Sequence, residues 1–464
     1  MKKFLSLFLI LSLLLSACML ATGCASTEGM EFLQTETGYM LTAYNGSDDE
    51  ITIPSTYGDL PVIAVSASAF LNNTTLTSVT IPESVKTIGA SAFEGCTNLS
   101  EVTLSEGLVR IDSKAFKGCS ALASVTVPDS TTNIASFAFE ECTALTSIEL
   151  GKGLETLTPS AFSNCSALTS IKVNAENKIY RVEANALMRG EILVLGCKNT
   201  NISACGATAI GDYAFSGCVD IITNGGVLTI PSSITSIGNH AFAGCSEVTR
   251  VILPQKLETL GGYAFDVCTK LTDIELPSGL TSLGEFAFRG CTALPALVIP
   301  NSVIYLGNSV FYECTKLSSV TLPDTLAFLD HSFFYGCTSL ESIDLPSTLT
   351  RIGEWAFHGC TALRSIELPA HVTRVDKSAF FGCTALTSVD LSNVTYIGTT
   401  ALSACTALQS VKLSGNLTEI GQSAFDGCTA LSTIQFGGSA EAWSEVKTGI
   451  DWNRGVPADV TFAN

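Results

Sequence analysis

The sequence predicts an extended β-rich solenoid of about fifteen stacked coils with parallel strands, and three observations carry that expectation. A cysteine returns every 23 residues, from Cys96 through Cys119 and Cys142 to Cys165, and again in unbroken steps from Cys245 to Cys383. The residues between these cysteines repeat one apolar pattern in register. The chain is also long, 464 residues with 46% hydrophobic content, which is more than one conventional core holds. Self-similarity at a fixed period of this size marks a repeat architecture, in which each unit hides its apolar side only by stacking on its neighbours.

One unit shows how the residues divide the work. It reads Leu76-Thr77-Ser78-Val79-Thr80-Ile81-Pro82, then Val85, Ile88-Gly89, Ala92-Phe93 and Cys96. Leu76, Val79 and Ile81 alternate with polar Thr80 as a half-buried strand does, and Pro82 ends that strand because it has no N–H for the ladder. Gly89 is expected at a tight turn of positive φ. Phe93 and its equivalents place one large ring in each coil, contributing on the order of 1.5–3 kcal/mol when fully buried, and Ala92 leaves room for it. The pattern recurs in 15 units, with the Phe replaced once, by Leu402.

These positions resemble the BspA-like leucine-rich repeat, a 23-residue variant found in bacterial surface proteins, in its pattern of L, V/I, L-P, I-G, A-F and C. The resemblance covers nearly the whole chain after its first residues. It implies a right-handed leucine-rich-repeat solenoid with a parallel sheet along one face, and a role in adhesion to host proteins, other cells or polymers.

The period breaks in two places. Phe162 to Phe215 is seven residues longer than two repeats and contains the irregular stretch 174–206; Phe215 to Phe242 is four residues longer than one repeat, which points to an insertion at 219–226. Residues 31–436 are therefore read as one solenoid with two insertions and a bend between its arms. The stretch 437–464 loses the pattern, carries Trp443 and Trp452, and is expected to cap the last coil.

The first residues have a different character. Met1-Lys2-Lys3 and the apolar run from Phe4 to Leu15 read as an export signal, too short to span a membrane. Leu15-Ser16-Ala17-Cys18 and Ala21-Thr22-Gly23-Cys24 both resemble the bacterial lipobox, so Cys18 and Cys24 are the candidate lipidation sites. Leu15 suits the apolar position better than Ala21, which favours Cys18; an ordinary signal peptide with incidental cysteines is the alternative. On this reading residues 1–23 are signal, 24–30 are linker, and the protein is exported and lipid-anchored at the cell surface. A net charge of −19 argues against nucleic acid as a partner.

The eighteen cysteines of an exported chain raise the question of disulfides. Asn73 stands one period before Cys96, and a small interior side chain able to hydrogen-bond to the turn accounts for both residue types. The column is thus read as buried free thiols, in preference to bridges between coils or metal ligands. Cys197 and Cys205 fall outside the register and are the candidates for a disulfide. No catalytic motif is found: the four histidines form no H-E-x-x-H pair, and there is no G-x-S-x-G elbow or phosphate-cradling loop. No cofactor or metal site is expected.

Functional residues should lie on exposed columns. The outward strand column runs Thr80, Thr103 and Thr126, and later Glu275, Asp344, Glu367 and Asp390, a composition that β-propensity alone can supply. Two aromatic columns are more informative. Before the Ala-Phe pair, successive repeats carry Tyr213, His240, Tyr263 and Phe286; after it, successive repeats carry Tyr312, Tyr335, His358 and Phe381. Other repeats place mostly polar residues there, so both columns are expected to face solvent and form a ridge. These eight residues are the ligand-binding candidates, with stacking for stability as the competing explanation. The expected partner is an extracellular protein, or alternatively a glycan held by a polysaccharide-capturing surface system.

Overall fold

The computed structural model describes residues 27–221 and 225–462, so the candidate lipidation sites Cys18 and Cys24 lie outside the described residues. The described residues divide into two compact units, one up to residue 181 and one from residue 182 onward. Their boundary falls inside the stretch 174–206 where the repeat loses its period.

Each unit is a β-solenoid whose coils contribute two strand columns. In the first unit one column starts with the antiparallel hairpin Met30–Gln34 and Tyr39–Tyr44, and continues in parallel through Leu60–Val65, Thr87–Ile88, Arg110–Ile111, Asn133–Ile134 and Thr156–Leu157. The other contains Glu50–Thr52, Ser78–Ile81 and Glu101–Leu104, then Ser124–Thr126, Ser147–Leu150 and Ser170–Val173. Pairing is in register, so that Ser147 faces Ser170 and Ile148 faces Ile171. Identical side chains therefore stack along the solenoid.

The interior is layered by residue type. Phe70, Phe93, Phe116, Phe139 and Phe162 form a buried stack, with the Phe93 and Phe116 rings 5.1 Å apart and nearly parallel. In the second unit a similar column runs from Phe215 to Phe380 and continues through Leu402 to Phe425. Threonines clamp coil to coil from outside: Thr146 Oγ1 donates to the Ala123 carbonyl at 3.0 Å, and Thr272 Oγ1 to the Thr249 carbonyl at 3.0 Å.

The described residues form about 18 turns, against the 15 that the consensus marks. The amide of the column Phe bonds to the carbonyl of the next coil's Ala, as from Phe93 to Ala115; three further bonds at this place involve a coil that lacks the consensus Phe. Tyr44 bonds to Ala69, Gly196 to Ala214, and Phe425 to Trp452, which adds turns at the start, at the interruption and at the end. The stretch 174–206 is accordingly a coil in another form. It contains the antiparallel pair Ala186–Arg189 and Ile192–Leu195, and the latter strand pairs in parallel with Ala209–Ile210. The cap likewise extends both columns, with Lys447–Thr448 on Glu419–Ile420 and Val460–Phe462 on Thr433–Phe436. Trp443 packs on Phe436, and Trp452 on Phe425. Of the proposed insertion at 219–226, residues 222–224 lie outside the described residues.

The glycine expectation is corrected. Gly89 is not at positive φ; a Cβ there would lie 2.6 Å from the Ala67 amide nitrogen of the preceding coil, so its role is to let two backbones approach. Positive φ occurs instead at the residue before the Ala-Phe pair, such as Ser91 (57°), and before the Cys, such as Gly95 (74°). Non-glycine residues there carry a cost of about 1–2 kcal/mol each, which the hydrogen bonds between coils offset. The Ser91 amide, for example, donates to the Ser113 carbonyl at 3.0 Å.

The cysteine column is built of free, buried thiols. Most donate to the carbonyl of the Phe one coil earlier, as from Cys96 to Phe70 (3.1 Å) and from Cys119 to Phe93 (3.3 Å), and Cys428 donates to that of Leu402 (3.1 Å). Asn73 occupies the same place with different chemistry, because its Oδ1 accepts from the amides of Thr75 and Leu76 at 3.0 Å. Cys197 and Cys205 are not joined, contrary to the disulfide expectation. Asn185 Nδ2 donates to Cys197 Sγ at 3.0 Å, and Cys205 Sγ donates to the Ile202 carbonyl at 3.1 Å, so each sulfur is satisfied locally.

Candidate functional site

The eight aromatic candidates all lie in the second unit, flanking the turn that carries the Phe column. Positive φ at Tyr213 (57°), His240 (54°), Tyr263 (55°) and Phe286 (52°) directs four side chains the same way from consecutive coils. Their amides hold that conformation by bonding to the next coil, as Tyr263 does to the Glu285 carbonyl at 2.8 Å. The rings consequently stack face to face: Tyr213 on His240 at 4.5 Å, His240 on Tyr263 at 4.5 Å, and Tyr263 on Phe286 at 4.8 Å.

A second stack follows on the other flank of the turn. Tyr312 and Tyr335 are 4.5 Å apart at 3°, Tyr335 and His358 4.5 Å at 2°, and His358 and Phe381 4.7 Å at 7°. The two stacks meet where the Phe286 and Tyr312 centroids are 5.9 Å apart. The structure thus joins all eight residues into one ladder, a continuity the sequence did not reveal because the two columns occupy different positions of the repeat. In the coils where the second column is aromatic, the first holds Ser309, Ser332, Trp355 and Ser378.

The expectation that these positions face solvent is corrected. All eight side chains are half-buried, and inner rings have both faces covered by their neighbours. The ladder offers solvent a strip of ring edges. The coil spacing of a parallel stack is close to the contact distance of aromatic rings, so packing them edge outward costs little.

Charge is confined to one rung. Arg289, in the second column's position, lies over the rings of Tyr263 and Phe286 at 5.4 and 5.9 Å, and binds the buried Asp266 carboxylate through Nε (2.7 Å) and Nη2 (2.8 Å). Burial lowers the pKa of His240 and His358 below the ordinary histidine value, and raises Tyr263 and Tyr312 above the ordinary phenol value. His358 Nδ1 is buried without a hydrogen-bond partner, which also disfavours its protonation. Near neutral pH the ladder is therefore uncharged apart from the paired Arg289.

The outward strand column forms only shallow hollows. Arg250, paired with Asp273 at 2.9 Å, lies beside Ile252 and Glu275, and a second hollow lies between Asp344 and Glu367. Exposed Ile252 and Val298 interrupt the polar column.

Comparison with known proteins places the architecture. The family described as BspA type leucine rich repeat region (6 copies) matches residues 63–190, 208–341 and 327–445. A leucine-rich repeat protein from Bacteroides ovatus superposes with a TM-score of 0.52 at 24% identity, over 96% of this chain and 99% of that one. One from Eubacterium ventriosum superposes with a TM-score of 0.53 at 18% identity, over 81% and 93%. No curated protein matches the sequence.

Proposed function

We propose, for a chain that belongs to the BspA-type leucine-rich repeat family, a surface-exposed binding protein that recognises a protein of the host or of a neighbouring cell. Proteins of this repeat type are associated in general with protein binding or adhesion. The observation that carries the finer reading is the continuous ladder from Tyr213 to Phe381, uncharged and exposed along its ring edges. Protein interfaces are enriched in aromatic anchors of this kind. A sugar, by contrast, stacks on ring faces, and the inner rings of this ladder have none free. This weighs against glycan capture at the ladder.

Export and attachment through a lipidated Cys18 or Cys24 would hold the solenoid at the cell surface. Stable attachment takes more than one acyl chain, which a diacylated cysteine provides. The test is to screen the intact exported chain against an extracellular-matrix panel and a glycan array, each with Tyr312 and Tyr335 replaced together by Ser. Protein ligands lost in that variant support the proposal; protein ligands retained by it, or glycan ligands lost in it, would overturn it.

A further inference from the structure

In the second unit, among the described residues, the strand column that passes through Ala209–Ile210 and Ser236–Ile237 is interrupted once, between Tyr305–Leu306 and Phe328–Leu329. Elsewhere the residue before each of these strands and the residue after it donate to the preceding coil. Ile304 bonds to Thr281 (2.9 Å) and Gly307 to Leu283 (2.8 Å); two coils on, Thr350 bonds to Ala327 (2.8 Å) and Gly353 to Leu329 (2.8 Å). At the interruption the amides of Ala327 and Asp330 make no such bond to the carbonyls of Ile304 and Leu306. The same two coils remain joined on both sides. Asn301 and Asp324 exchange hydrogen bonds of 2.8 and 2.9 Å, and the Phe311 amide bonds to the Phe333 carbonyl at 3.1 Å. The break is a local opening in this strand column.

Its cause is legible in the repeat. The interior position before the column Phe is Ala in nearly every coil, but in these two consecutive coils it is Val310 and then Phe333. The Phe333 ring stands edge-on to Phe311 (77°) and to Phe334 (72°), adding a second ring where the other coils leave room for one. An overpacked interior relieves itself by moving backbone, and the adjoining strand pair separates. The opening is a part-open hollow of roughly 540 Å³ whose lining includes Ile304, Tyr305, Leu306, Leu326, Phe328 and Phe333. Ile304, Tyr305 and Phe328 are 88%, 58% and 48% exposed, an apolar rim that a repeat of this kind has no need to present.

We infer that this opening is a docking site for an extended polypeptide segment, which seats one bulky apolar side chain between the coils. The segment's flanking N–H and C=O groups pair with the Ile304 and Leu306 carbonyls and the Ala327 and Asp330 amides. The occupant's chemistry follows from what is unfilled. The opening presents main-chain acceptors from one coil and main-chain donors from the next, beside an apolar recess, and a polypeptide backbone carries both complements around an apolar side chain. An acyl chain would fill the recess but leave the amides and carbonyls unpaired; a sugar would leave the apolar rim exposed. The site is separate from the aromatic ladder and does not depend on the role proposed for it.

The probe is a panel of fluorescein-labelled, capped heptapeptides of alternating threonine and valine, differing only in the central residue, titrated against the intact chain by fluorescence anisotropy. Peptides with central leucine, isoleucine or phenylalanine should bind, and central serine should bind about tenfold or more weakly. Methylating the backbone nitrogens beside the central residue should cost a similar factor. Two pairs of substitutions locate the site. Ile304→Ser with Phe328→Ser, both at exposed positions, should weaken binding about tenfold; Val310→Ala with Phe333→Ala should restore the strand pairing across the opening and abolish binding. Tyr312→Ser with Tyr335→Ser should leave peptide binding unchanged. Hydrogen exchange at Ala327 and Asp330 should be fast in the free chain and slowed by bound peptide, a readout that survives if the interior variant folds poorly. Peptide Kd values all weaker than about 1 mM, or binding indifferent to the Ile304 and Phe328 substitutions, would overturn the proposal. So would laurate binding at these residues where no peptide does.

Discussion

Cys291 Sγ donates a hydrogen bond of 3.2 Å to the carbonyl of Phe265, one coil earlier and 26 residues back in the chain. The same bond recurs from Cys245 to Phe215, from Cys314 to Phe288 and from Cys383 to Phe357, so each thiol ties its turn to the turn beneath. A hydrogen-bonded, buried S–H resists ionisation. Burial pushes the Cys96, Cys165, Cys314 and Cys383 thiols up to about 12. Thiolate is the reactive form, so these cysteines should resist alkylation at about pH 8 in the native protein and react fully on denaturation without reductant. Mass spectrometry of the alkylated chain checks this, and thiols that appear only after reduction would contradict it.

Removing one such tie should be measurable. Cys291→Ala removes the thiol donor from the Phe265 carbonyl, which keeps the Cys268 amide at 3.3 Å, and opens a small void, a loss of about 1–2 kcal/mol in unfolding free energy. Chemical denaturation of the variant beside the parent chain measures the difference.

The two kinds of glycine should respond differently to substitution. A Cβ on Gly238 would lie 2.6 Å from the Asp212 amide nitrogen, so Gly238→Ala must force two coils apart and should cost upwards of about 3 kcal/mol. Gly359 has a φ of +69° but no heavy atom nearer to such a Cβ than 3.9 Å, and Asn164 and Glu313 adopt positive φ at the equivalent position. Gly359→Asn should cost only about 1 kcal/mol. Equal losses on thermal melting would refute the distinction.

The aromatic ladder should serve both stability and binding. Replacing Tyr312 and Tyr335 together by Ser removes the stacked pair, its contact with His358 and its junction with Phe286, for an expected loss of about 2–4 kcal/mol in stability. Affinity for a protein ligand found by the screens should fall by a further few kcal/mol, measured below the variant's melting temperature. Lost stability with unchanged affinity would make the ladder structural alone.

Acid should weaken the ladder through its histidines. His240 and His358 have pKa values lowered in the folded state, so the unfolded chain binds protons first as pH falls. Their contribution to stability is complete above the unfolded value of about 6.5 and is lost as pH drops from there towards the folded value. Unfolding midpoints of the parent chain should decline through this window more steeply than those of a variant with His240→Phe and His358→Phe. Parallel curves would show that the imidazoles remain neutral for another reason or contribute nothing.

The sequence by itself determined the period, the strand through Val79 and Ile81, the interior places of Ala92, Phe93 and Cys96, and the candidate ladder residues. Each of these follows from one residue type recurring at one spacing, and a coil's interior is set by its own 23 residues. Only the tertiary structure decided what depends on the neighbouring coil. Gly89 is required by a backbone 22 residues away, not by its own φ, and the Cys thiol is satisfied by a carbonyl that its own coil does not contain. Tyr312 joins Phe286 although the two occupy different repeat positions, because stacking brings adjacent turns within ring contact. Val310 and Phe333 were visible as departures from Ala, but their effect lies on the strand pair between Tyr305 and Phe328. A repeat written in one dimension specifies each coil, while the contacts that open or close the surface arise between coils and depend on volumes summed over two of them.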